Sequence, residues 1–279
     1  PESLFSLTLD ESGAIGGAGR LLGFEAHGLR SGDAAQIGAA LYIANPRSGE
    51  LERQTADGTI TLESTFEGPA YLAPLGLGGS DFLLMVDQSA RGVPAFRVAS
   101  DGALAPTDTL GPEDGLGRNA PTAITTLTLD GKAYVIVGAA GSNSLSVLML
   151  DASGNLTAQD HVIDTRATRF GTLQVLEAEV IDGQAYIVAG GGDDGRSLFT
   201  LLPSGRLIHL ETIAHDLGSG LMDPTALTLS ARAGGLDLYI ASEDSAGIAQ
   251  YSIDTSQLGS IAPVHTQSGS GALTGTLTG

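Results

Sequence analysis

Residues 121–163 read PTAITTLTLDGKAYVIVGAAGSNSLSVLMLDASGNLTAQDHVI. PTAITTLTLD is rich in β-branched residues, the composition of a strand. KAYVIVGAA is a nearly unbroken apolar run, the pattern of a strand covered on both faces. SLSVLMLD repeats that pattern, and LTAQDHVI is more polar. Gly131 separates the first stretch from the second, and an Ala-Ser-Gly turn separates the third from the fourth. Short strands bounded by Gly, Asp, Asn and Ser are hairpins. The turn glycine is expected at positive φ, where other residues are strained.

The closing turn recurs along the chain, as LDESGAI (9–15), QTADGTI (54–60), VASDGAL (98–104), LLPSGRL (201–207) and, more loosely, IDTSQLGSI (253–261). Its glycines, Gly13, Gly58, Gly102, Gly154, Gly205 and Gly259, lie 45, 44, 52, 51 and 54 residues apart. The apolar second strand recurs as LYIAN (41–45), LLMVD (83–87), YVIVG (134–138), YIVAG (186–190) and LYIAS (238–242). Four antiparallel strands repeated every ~45–50 residues are the signature of a β-propeller. The polar fourth strand is expected outermost. The first is expected along the axis, where small residues fit. Helices are excluded because glycines interrupt every candidate, and a sandwich predicts no such period.

Six turns stand against five apolar second strands. The N-terminal LFSLTLDESGAIGGAG matches only the third and fourth strands of a unit. The expected fold is therefore all-β, a single domain over 1–279. It is a six-bladed β-propeller of four-stranded antiparallel blades whose last blade is a composite of N-terminal and C-terminal strands. Residues 4–20 supply its outer strands and 271–278 (GALTGTLT) an inner one. Sharing a blade between the two ends closes the ring and removes exposed edges. The opposing reading makes 271–279 a frayed tail. The composite blade is left a strand short and the chain opens on Pro1. The sequence thus reads as part of a longer chain with further domains.

The chain has 279 residues, 42% hydrophobic and 16% charged, with 40 glycines and a net charge of −19. That acidity argues against nucleic acid as a partner, because such affinity comes largely from Lys and Arg on phosphates. It argues equally against anionic membrane surfaces. No apolar run approaches the ~20 residues that span a bilayer, so no membrane insertion is expected. The absence of cysteine rules out disulfides, thiolate metal sites and cysteine nucleophiles.

AYVIVGAAGSNSLSVLMLDASGNL and AYIVAGGGDDGRSLFTLLPSGRL share an order: aromatic residue, apolar run, small polar loop, apolar strand, Asp/Ser-Gly turn. This order resembles bacterial propellers of the YVTN and lactonase-like superfamily. WD40 and Kelch propellers match less well, since the chain has no Trp. The acidic, glycine-rich, cysteine-free composition also resembles large secreted bacterial proteins in which propellers precede calcium-binding RTX repeats. That resemblance implies an extracellular, cell-surface-associated protein. The tandem RTX pattern G-G-x-G-x-D is only grazed, by LGGSDFLL (77–84) and GGGDDGRSL (190–198).

By analogy with propellers, the inter-blade loops and the second-to-third-strand loops share the axial face that binds ligands. The inter-blade loops supply His27, Glu67, Arg118, Asn119, Arg169 and Asp223. Glu67, Asn119 and Asp223 precede prolines at equivalent positions, and such oxygen ligands could converge on Ca²⁺. The other reading is that each caps its turn before a proline. Arg118 and Arg169 could hold a carboxylate or sugar acid, or pair with an acidic loop. His27 and His215 are candidate bases. His161, His209 and His265 fall on outer strands and are expected to be solvated. No G-x-S-x-G nucleophile elbow is present.

The leading functional expectation is a non-enzymatic binding or interaction module of a larger secreted bacterial protein, taking a protein or carbohydrate ligand at the axial face. The alternative is a metal-dependent lactonase-like hydrolase, with Glu67, Asn119 and Asp223 on the metal and His27 or His215 as base. A third reading is a scaffold of a surface layer or filament.

Overall fold

The computed structural model describes residues 5–9, 15–20, 33–55, 57–66, 68–87, 92–112, 119–193, 195–214, 224–232, 234–242, 247–255 and 261–268. Among them are twenty-two strands and no α-helix. β1 (Phe5–Leu9) and β2 (Ile15–Arg20) pair as a hairpin. Five four-stranded antiparallel sheets follow in simple up-and-down order. Sheet 1 is β3 (Ala34–Ile37), β4 (Ala40–Asn45), β5 (Glu50–Thr55) and β6 (Gly58–Thr65). Sheet 2 is β7 (Ala70–Leu77), β8 (Ser80–Asp87), β9 (Val93–Val98) and β10 (Leu104–Leu110). Sheet 3 is β11 (Pro121–Leu129), β12 (Lys132–Ala139), β13 (Ser144–Leu150) and β14 (Leu156–Ile163). Sheet 4 is β15 (Leu173–Ile181), β16 (Gln184–Gly191), β17 (Gly195–Leu201) and β18 (Leu207–Ala214). Sheet 5 is β19 (Pro224–Arg232), β20 (Gly235–Ser242), β21 (Gly247–Asp254) and β22 (Ile261–Ser268).

The turns follow the local chemistry. Gly102, Gly154 and Gly205 sit at φ 79°, 92° and 83°. Asp130-Gly131 and Asp182-Gly183 are left-handed at both residues, the backbone of a two-residue type I′ hairpin.

The first strands of successive sheets lie against one another, which makes them innermost. The sheets pack face to face. Tyr134 and Ile136 of sheet 3 meet Ile187, Ala189 and Phe199 of sheet 4. Tyr186 and Val188 of sheet 4 meet Leu236, Leu238 and Ile240 of sheet 5. Each second strand is covered on both faces, hence its unbroken apolar run. The innermost strands depart from the small-residue expectation. Leu127, Leu129, Leu173 and Leu176 share one buried cluster, because these strands also pack their side chains between neighbouring sheets.

β1 and β2 coincide with the outer strands assigned to a composite blade. Leu9 lies opposite Ile15 just as Leu150 lies opposite Leu156 and Leu201 opposite Leu207. The inner strand expected at 271–278 lies outside the described residues.

Two bonds recur at the seams between sheets. The Tyr42 hydroxyl donates to the Gly102 carbonyl and the Tyr134 hydroxyl to the Pro203 carbonyl, each at 2.8 Å. Tyr186 shares a hydrogen bond with Thr255. In sheet 2 Phe82 takes that place: the Arg97 guanidinium lies 4.8 Å from its ring centre and donates to the Ala152 carbonyl at 3.0 Å. Further out, Asp108 Oδ2 accepts the Leu156 N–H at 2.7 Å and Asp160 Oδ2 accepts the Leu207 N–H at 2.9 Å.

Candidate site at the mouth of sheets 3 and 4

The loops that lead into β11 and β15 meet the β12–β13 and β16–β17 turns at one end of the sheets. The Asn119 carbonyl accepts the Gly141 N–H at 2.9 Å, and its own N–H donates to Ser142 Oγ at 3.3 Å. A Cβ on Gly141 would stand 2.8 Å from the Asn119 oxygen, so the approach requires glycine. Thr122 Oγ1 then donates to the Leu173 carbonyl at 2.6 Å, joining the starts of β11 and β15.

Residues 164–172 are held from several sides. Asp164 Oδ1 accepts Thr168 Oγ1–H at 2.6 Å and the Phe170 N–H at 3.3 Å. Phe170 is fully buried, edge-on to Phe199 with ring centres 5.7 Å apart. Asn143 stitches both ends of the segment: its carbonyl accepts the Asp164 N–H and its Oδ1 the Thr172 N–H, each at 2.7 Å. Ala120, Asn143 and Thr172 carry three of the five positive non-glycine φ angles among the described residues, 48°, 47° and 51°. A β-branched residue there is a strained outlier, and such strain persists where the surroundings over-determine it, often at binding sites.

Two carboxylates close on the same spot. Asp164 Oδ2 and Asp193 Oδ2 lie 3.2 and 3.4 Å from the point a Cβ on Gly171 would occupy. Burial pushes the Asp193 carboxyl above its usual range; the Asp164 charge adds to the rise, while hydrogen bonds from backbone N–H groups and the nearby Arg169 oppose it. Asp193 Oδ1 is buried with no hydrogen-bond partner. Arg169 is exposed, donates from Nη1 to the Asp193 carbonyl at 3.1 Å, and anchors its own N–H on Ser197 Oγ at 2.8 Å.

Of the residues expected from the sequence, Asn119 and Arg169 fall on this mouth, on neighbouring loops joined through backbone and Thr122. Arg169 meets the β16–β17 turn through the backbone carbonyl of Asp193. Asn119 is bonded through its backbone as a turn residue. Glu67, Arg118, Asp223, His27 and His215 lie outside the described residues, so only Asn119 of the candidate calcium set is described. Among the described residues no three Asp, Glu or His side chains are grouped to hold a metal. His161 and His209 are exposed, but both are bonded, His161 Nδ1 to Ser146 Oγ at 3.0 Å and His209 Nε2 to Thr212 Oγ1 at 2.8 Å.

Asn143 and Asp193 lie on the second-to-third-strand loops expected at this face, whereas Asp164 and Glu177 escaped notice in the sequence. Glu177 is half-buried on β15, and burial pushes its carboxyl from 4.5 up to about 7, with a smaller rise from the Glu179 charge opposed by the Ala178 N–H.

No protein-family model and no curated protein matches the chain. Solved structures do. A protein from Lactobacillus plantarum is 20% identical at a TM-score of 0.59, over 82% of this chain and 67% of that one. The periplasmic gluconolactonase of Pseudomonas aeruginosa is 18% identical at 0.58, over the same shares. Virginiamycin B lyase from Staphylococcus aureus is 12% identical at 0.54, over 95% of this chain and 86% of that one. The RTX link finds no support among them. At such identities the likeness is one of fold alone, a β-propeller of antiparallel sheets.

Proposed function

We propose that the chain is a lactonase-like hydrolase that takes a small carbohydrate-type ester ring at the mouth of sheets 3 and 4. The observation that carries this reading is the loop 164–172, pinned at both ends by Asn143 with Thr172 forced left-handed at φ 51°. Strain of that kind is kept where a surface must be preorganised for a ligand. Asp164, Arg169 and Asp193 then offer the charged and hydrogen-bonding groups around it. The likeness in fold to a gluconolactonase favours ring opening over the non-enzymatic module, for which the likenesses offer nothing. On this reading β1–β2 forms the outer half of a sixth blade in one 1–279 domain. The wider context, a secreted and surface-associated protein with further domains, remains part of the proposal.

The test is a panel of sugar lactones, with acid release followed by a pH indicator, with and without added Ca²⁺. Turnover of at least one lactone is expected. Asn143→Ala should lower it roughly tenfold or more, because a misplacement of about 1 Å in a positioning group has such effects. No turnover of any lactone in either condition overturns the reading.

A further inference from the structure

Arg169 is held at three points. Its N–H donates at 2.8 Å to Oγ of Ser197, a fully buried residue. Its stem crosses Gly195, where an added Cβ would stand 2.7 Å from Arg169 Cβ and 2.9 Å from its Cγ, so the crossing requires glycine. Its Nη1 donates to the Asp193 carbonyl at 3.1 Å. A guanidinium fixed in this way has little freedom left to lose on binding.

The charge itself is unspent. Arg169 is exposed, and among the described residues it makes no ion pair and no further side-chain hydrogen bond. Because its partner is a single carbonyl on Nη1, the Nε–Nη2 edge stays open. That edge carries two parallel N–H donors, the geometry that matches a carboxylate. Arg166, on the same loop, is also exposed but makes no side-chain hydrogen bond among the described residues.

The rest of the mouth suits a hydroxylated ring that bears one negative charge. Asp164 Oδ1 is taken up by the Thr168 hydroxyl and the Phe170 N–H, and the Asp193 carboxyl accepts the Gly171 N–H. Two carboxylates beside one open guanidinium disfavour a doubly charged group such as a phosphate ester. Asn143 spends Oδ1 on the Thr172 N–H, which leaves its exposed amide nitrogen for a ring hydroxyl.

We propose that Arg169 makes this site select lactones of sugar acids, its Nε–Nη2 edge taking the carboxylate that the ring bears. This rests on the lactonase-like reading and names the substrate class within it.

The test uses a matched pair: glucaro-1,4-lactone, which bears a carboxylate, and glucono-1,4-lactone, which bears a hydroxymethyl group in its place. The wild type should favour the first in kcat/KM by roughly tenfold or more, the size of a charged hydrogen-bonded pair, and chiefly through KM. Arg169→Gln should bring the ratio close to one, with Arg169→Lys in between, since it keeps the charge without the fork. Arg166→Gln removes the same charge from the same loop. It should shift the ratio less than about threefold, because an unanchored exposed charge is screened. An active wild type that turns over the two lactones equally, or favours the hydroxymethyl one, overturns the proposal alone. So does an Arg169→Gln variant that keeps the preference, or an Arg166→Gln variant that loses it as fully. A wild type that hydrolyses no lactone overturns the functional reading and the proposal with it.

Discussion

The hydroxyl of Tyr134 donates a hydrogen bond to the carbonyl of Pro203, 2.8 Å away across the seam between sheets 3 and 4. Pro203 belongs to the hairpin turn LLPSGRL, one copy of the turn that marks the repeat. The turn is thus more than a change of direction. It is the acceptor that the preceding sheet's aromatic residue finds, at Gly102 from Tyr42 and at Pro203 from Tyr134. Alternation within each strand buries the tyrosine ring, and the hydroxyl emerges at the next sheet's edge.

Tyr134→Phe keeps the ring and removes this bond. The expected cost is about 1 kcal/mol, a fall in Tm of roughly 2–4 °C for a chain of this size. The loss should sit at the low end, because Lys132 Nζ also reaches the Pro203 carbonyl, at 3.0 Å. Thermal unfolding followed by circular dichroism reads it, and an unchanged Tm would mean that the seam is held by packing alone.

The turn glycines carry a second demand. A Cβ on Gly154, at φ 92°, would stand 2.6 Å from Thr107 Oγ1 of the preceding sheet, whereas one on Gly131, at φ 72°, would meet nothing within 4 Å. Gly131→Ala incurs the left-handed backbone cost of roughly 1–2 kcal/mol. Gly154→Ala adds overpacking of roughly 1–3 kcal/mol. Urea midpoints should therefore rank wild type, Gly131→Ala, Gly154→Ala. Equal midpoints for the two variants would show that the seam yields freely.

The strands were legible because their signals are local. PTAITTLTL, KAYVIVGA, SLSVLML and LTAQDHVI stand in the structure almost to the residue. The mouth was legible only as a set of loops. That Asn143 pins Thr172, and that Asp164 and Asp193 converge over Gly171, depends on contacts between separate segments that no spacing encodes. Arg169 was read either as an anion clamp or as the partner of an acidic loop, and which group it meets, the Asp193 carbonyl, is again a contact between separate segments. Glu177 did leave a trace: LQVLEAEVI sets two acids into a strand whose counterpart β11 has none.

The outer seam should respond to charge and shape separately. Asp160 Oδ2 accepts the Leu207 N–H at 2.9 Å, and its Oδ1 accepts the His161 N–H at 2.9 Å. Asp160→Ala strands both donors at a cost of about 1–3 kcal/mol. Asp160→Asn keeps one acceptor oxygen and should cost less. Hydrogen exchange at the Leu207 amide is the direct reporter, fast in the Ala variant and intermediate in Asn. Identical protection in all three proteins would show that this bond does not hold the seam.

Glu177 makes stability depend on pH with a definite sign. Its carboxyl titrates at about 7 in the folded chain against 4.5 ordinarily, so the folded state holds the proton more tightly than the unfolded one. The contribution is fully present below about 4.5 and is lost as pH rises through about 7. The loss amounts to at most roughly 3 kcal/mol, since each tenfold difference in proton affinity is worth about 1.4 kcal/mol. Glu177→Gln stays uncharged throughout. It should match the wild type near pH 4.5 and exceed it above pH 7, with the difference growing between those limits. Urea unfolding at half-unit pH steps measures that difference directly. A constant difference across the range would mean that the folded chain leaves this carboxyl at its ordinary value.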